Sequence, residues 1–123
     1  MAEIRLGMVE ARFADIIWEN APLTTRELID LCAKALNWKR TTTYTVLKKL
    51  CDRGIFNTTD SVVTTLISKK DFYAMQCEQF VEETYHGSLP AFIAAFTSRK
   101  APTKEELEQI KNMIKAYEES ALD

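Results

Sequence analysis

Apolar side chains at Leu6, Val9, Phe13, Ile16 and Ile17 recur at three- and four-residue steps, which predicts an amphipathic helix over residues 8–20. Asn20-Ala21-Pro22 stops it. Thr24-Thr25-Arg26-Glu27 then has the form of a capping box: the Thr24 hydroxyl accepts from the Glu27 amide, and the Glu27 carboxylate reaches back to the Thr24 amide. A second helix starts there and buries Leu28, Leu31, Cys32 and Ala35. After Asn37-Trp38 a third helix is predicted over 40–53, ended by Gly54. Val46, Leu47 and Leu50 fall within about 60° of Thr43 on a helical wheel and face inward. Thr41, Tyr44, Thr45, Lys48, Lys49 and Asp52 occupy the other side.

The period then changes. Ile55-Phe56-Asn57 and residues 62–67 are rich in β-branched and aromatic side chains, and Thr58-Thr59-Asp60-Ser61 between them has turn composition, so a short hairpin is expected. A fourth helix follows over 69–85, with Phe72, Met75 and Phe80 on its apolar side. Gly87-Ser88-Leu89-Pro90 interrupts the chain before a brief apolar helix from Ala91 to Phe96. A last capping box, Thr103-Lys104-Glu105-Glu106, opens a helix to about Glu119 striped by Leu107, Ile110, Ile114 and Tyr117.

Composition narrows the functional classes. The chain has 123 residues, a formal charge of -2 and only 3 Gly and 3 Pro, too little turn material for an all-β fold. It lacks a long uncharged apolar run, and the start Met-Ala-Glu-Ile-Arg lacks the pattern of a secretory signal, so a cytoplasmic protein without membrane insertion is expected. Cys32, Cys51 and Cys77 form no C-x-x-C pair and are each expected to be small core residues in a reducing compartment. His86 sits where a helix ends, with no nucleophile motif beside it, and nothing reads as an enzyme or as a cofactor site.

Charge is unevenly placed. Residues 34–53 carry Lys34, Lys39, Arg40, Lys48, Lys49 and Arg53 against Asp52 alone, whereas the chain before and after this stretch is net acidic or neutral. Three consecutive threonines are poor helix formers, so an outer face of hydroxyls, a tyrosine and lysines calls for a partner outside the protein. Three helices followed by a hairpin, with a basic third helix, is the order of a winged helix-turn-helix, whose third helix enters the major groove of DNA. The expected fold is mainly α with a small β-hairpin wing: residues 1–70 as a DNA-binding winged-helix domain and 71–123 as a helical dimerisation domain. Phe92, Phe96, Leu107, Ile110, Ile114 and Tyr117 carry more apolar surface than the N-terminal domain can cover, which predicts a homodimer on a palindromic operator.

Asp15-Ile16-Ile17-Trp18, Asn37-Trp38, Thr42-x-x-Thr45, Leu50-x-x-x-Gly54 and Tyr85-His86-Gly87, in this order and spacing, resemble the BlaI/MecI/CopY penicillinase-repressor family of bacterial winged-helix regulators. The resemblance runs from about Leu6 to Glu119 and implies a dimeric transcriptional repressor. It also implies release by metal binding or by proteolysis linked to a membrane sensor. In the family comparison Thr42 and Thr45 match base- or backbone-contacting positions and Lys49 a phosphate-contacting one. The family's sensitive Asn-Phe bond falls on Ala95-Phe96, of which only Phe96 agrees, and the cysteine-rich metal site of the CopY type has no counterpart in Glu-Glu-Ser-Ala-Leu-Asp.

Together these readings nominate Thr25, Lys39, Arg40, Thr41, Thr42, Tyr44, Thr45, Lys48 and Lys49 for DNA contact. A wing without Lys or Arg and an acidic C-terminal half fit instead a winged-helix module that binds protein rather than specific DNA.

Overall fold

A computed structural model of the chain describes residues 6–121. The ends of the two expected domains, residues 1–5 and 122–123, lie outside the described residues, as does the Met-Ala-Glu-Ile-Arg start. The elements run α1 (Met8–Asn20), β1 (Leu23–Thr24), α2 (Thr25–Leu36), α3 (Arg40–Asp52), β2 (Phe56–Thr59), β3 (Val62–Thr65), α4 (Lys69–Tyr85), α5 (Leu89–Arg99) and α6 (Lys104–Ala121). The chain divides within α4 into two compact units, Met1–Gln79 and Phe80–Asp123.

In the first unit the inward stripes of three helices meet. Phe13, Ala14 and Ile17 from α1, Leu28 and Cys32 from α2, and Leu47 and Leu50 from α3 are buried together with Ile55, Phe56, Val63 and Phe72. Trp38 stacks on Phe13 with ring centroids 5.3 Å apart. Trp18 meets Phe56 and Phe72 at 5.5 and 5.6 Å. Lys69, at the start of α4, bonds Asp15 of α1 at 2.9 Å.

Local chemistry sets the helix ends. The Thr24 hydroxyl accepts from the Glu27 amide at 3.1 Å, and the Glu27 carboxylate accepts from the Thr24 amide at 3.3 Å. The same reciprocal pair joins Thr103 and Glu106 at 3.1 and 2.9 Å. Gly54, at φ 81°, ends α3: its amide donates to Cys51 and the Ile55 amide donates to Leu50, satisfying two terminal carbonyls of the helix.

The wing departs from its sequence reading in two ways. Thr58 and Thr59 are strand rather than turn, paired with Val63 and Val62, and only Asp60 and Ser61 turn the corner. Both have positive φ, 52° and 63°, the backbone of a two-residue turn matched to the twist of a hairpin. The sheet also has a third strand, in the order β1-β3-β2, because Leu23 and Thr24 pair with Val63 and Val62.

The second unit holds a ring cluster and an open apolar surface. Phe80, Tyr85 and Phe92 contact one another at 5.9 to 6.2 Å, and Phe96 lies 6.4 Å from Phe92. Neither α5 nor α6 has a buried residue. The apolar brief helix expected from 91 to 96 is longer, because Ser88 caps it and Pro90 occupies its first turn.

Three side-chain expectations are corrected. Ala35, expected on the buried side of α2, is exposed in the last turn of that helix. Of Phe72, Met75 and Phe80 on α4, only Phe72 is buried, because packing in the first unit reaches only the start of that helix. Of the cysteines, Cys32 is a core residue, Cys51 is half-buried and Cys77 is exposed on α4.

Candidate nucleic-acid interface

The face of α3 turned away from the core carries most of the nominated residues. Thr43, Leu47 and Leu50 are buried, which leaves Arg40, Thr41, Thr42, Tyr44, Thr45, Lys48 and Lys49 exposed, with Lys39 exposed at the N-cap. The three threonines therefore divide. Thr43 is wholly buried and donates its hydroxyl back to the Lys39 carbonyl at 3.3 Å, while Thr41 and Thr42 face outward. Thr45 is also exposed, but its hydroxyl donates to the Thr41 carbonyl at 2.8 Å, so toward solvent it offers an acceptor oxygen and a methyl group.

Tyr44 is held at both ends. The Arg40 guanidinium lies 5.7 Å from the centre of its ring. Hydrogen bonding from Thr25, and after it from Arg40, holds the phenol below its ordinary pKa. Thr25 is itself buried at the first position of α2, so unlike the other nominated residues it presents little surface of its own.

The cations of the basic stretch differ in their surroundings. Lys48 bonds Asp52 one turn along at 3.1 Å, with both side chains largely exposed, a pairing worth little in water. Lys49 bonds Glu10 of α1 at 2.6 Å, and Arg53 approaches the same carboxylate at 3.9 Å. Glu10 also accepts from the Gly7 amide at 3.1 Å, which ties it to the start of α1. The Lys49 bond is the foremost cause holding the Glu10 carboxyl below its ordinary value. Among the described residues Lys39 and Arg40 have no carboxylate partner. The unopposed positive charge of α3 thus lies at its N-terminal end, where the first turn holds no acid and the helix dipole adds to it.

Glu10 is absent from the residues that sequence reading nominated. Its place in the first turn of α1 is legible, but nothing local links it to Lys49, which only the packing of α1 and α3 brings within reach. The wing adds no cation, since residues 55–67 hold no Lys or Arg.

The nominated residues of the second unit are open to solvent. Phe96, Leu107, Ile110, Ile114 and Tyr117 are all exposed, Tyr117 most of all at 72%, and Phe92 is half-buried in the ring cluster. Ala95 is half-buried and Phe96 exposed within α5, so the peptide bond between them is helical. His86 is exposed, just past α4, with φ 53°. Among the described residues no helix is long and apolar enough to cross a membrane, and no group of three His, Cys, Asp or Glu side chains is placed to hold a metal ion.

Three packed helices, a β-wing and an outward third helix bearing hydroxyls and cations define a winged helix-turn-helix protein with an added helical C-terminal part. A family model described as penicillinase repressor matches residues 6–116, and the chain belongs to that family of transcriptional repressors. It is 22% identical over 117 residues to a penicillinase repressor of Bacillus licheniformis, covering 92% of this chain and 91% of that one.

Proposed function

We propose that this protein is a homodimeric repressor that binds a palindromic operator through the outer face of α3. The observation that carries the reading is the outward set of Thr41, Thr42, Tyr44 and Thr45 above Lys39 and Arg40, on a helix whose opposite side is fully used by the core. Hydroxyls and a stacked tyrosine suit base edges and thymine methyls, while Lys39, Arg40, Lys48 and Lys49 suit phosphates.

Dimerisation belongs to the second unit. The stripe of Leu107, Ile110, Ile114 and Tyr117 on α6, with Phe92 and Phe96 on α5, is too continuous to be a chance scatter of exposed apolar residues, and a second copy supplies the same stripe in return. Two copies related by a two-fold axis present two α3 helices to the two halves of a palindrome. The Ala95-Phe96 bond is the family-matched position for cleavage by a sensor-linked protease, and because it is helical, cutting there requires α5 to open first.

Selection of bound duplexes from a random pool by the full chain tests the reading. A recovered palindrome is the expected result. A protein that enriches no sequence, while capturing a protein partner, would favour the interaction-module reading instead.

A further inference from the structure

Glu10 stands where a repressor would be expected to avoid negative charge. It lies on α1, outside the helix that meets DNA, yet its carboxylate takes the Lys49 ammonium at 2.6 Å and draws Arg53 to 3.9 Å. The Glu10 side chain is mostly covered, at 20% exposure, while that of Lys49 is 56% exposed. Lys49 is thus placed to exchange one partner for another at the protein surface, whereas Glu10 is also bonded to the Gly7 amide at the start of α1.

We propose that Glu10 competes with the DNA backbone for Lys49, restraining the electrostatic, sequence-independent part of duplex binding. This inference rests on the DNA-binding reading above. A lysine already neutralised by a carboxylate releases no DNA counterion unless that bond is given up, so the field that attracts every duplex alike is weakened. Contacts that read base edges are left in place.

Glu10→Gln removes the charge and keeps an oxygen that can accept from Gly7, so the start of α1 survives. Affinity for a fluorescent DNA duplex of random sequence is measured from about 50 to 200 mM salt for the full-length protein, for Glu10→Gln, for Lys49→Ala and for the double variant. The expected result is tighter binding by Glu10→Gln with a steeper salt dependence, the fourfold rise in salt weakening it about threefold more than the wild type for each protomer bound. In the Lys49→Ala background the Glu10 substitution should gain much less, since the competitor has lost its nearest target and only the more distant Arg53 remains. A Glu10→Gln protein with unchanged affinity and slope, or with an equal gain when Lys49 is alanine, overturns the proposal and leaves DNA binding standing. A wild-type protein that binds no duplex at any salt concentration overturns both.

Discussion

The indole N–H of Trp18 donates to the Ile67 carbonyl at 3.0 Å, joining α1 to the chain as it leaves the wing. The same ring lies against Phe56, Phe72 and Tyr73, so one side chain links a helix, a strand and the start of α4. Trp18→Phe keeps an aromatic body in this place and loses the donor, leaving the partly buried carbonyl without it. Urea unfolding should report a loss of about 1 kcal/mol. A larger loss would mean that the indole's extra volume, rather than its hydrogen bond, is what matters.

Adjacent threonines on α3 should behave in opposite ways. Thr43→Val fills the same buried space, and the Lys39 carbonyl keeps the Thr43 amide as donor at 3.1 Å. Stability should change by less than about 1 kcal/mol and operator affinity not at all. Thr42→Val, on the exposed face, should leave the melting temperature alone and weaken operator binding about tenfold, the cost of about one base contact. Equal behaviour of the two variants in gel-shift titrations would refute the division of the helix into two faces.

Acid should destabilise the first unit partly through Glu10. Its carboxyl is held below the ordinary 4.5 by the bond from Lys49, so the folded state favours the ionised form. That stabilisation is complete above the unfolded value and disappears as pH falls through the lower folded one. Comparing urea midpoints at neutral pH and at roughly pH 3 should show a larger drop for the wild type than for Glu10→Gln. Glu106, also held low by Thr103, is common to both proteins and cancels in the comparison.

The α6 stripe is open to a direct test of assembly. Ile114 is 53% exposed, so Ile114→Asp should leave α6 helical by circular dichroism. In sedimentation experiments the wild type should run as a dimer and the variant as a monomer, with operator affinity reduced because two half-sites are no longer bound together. A variant that stays dimeric would move the interface away from this stripe.

What the sequence determined by itself is what has its cause within a single helix: where it starts, where it stops and which side turns inward. The Thr24/Glu27 and Thr103/Glu106 boxes, the Gly54 stop and the inward stripe of α3 follow from short-range hydrogen bonds and a 3.6-residue period, and they are observed where sequence reading expects them. Tertiary structure alone decided what depends on a distant partner. Leu23 and Thr24 are too few to announce a strand, and they become one only because β3 lies alongside. Met75 and Cys77 look like core residues by composition, yet they are exposed because packing in the first unit reaches only the start of α4. The basic character of α3 is likewise edited from outside: its cations are countable in the sequence, but the carboxylate that claims Lys49 arrives from another helix, through a contact no local pattern encodes.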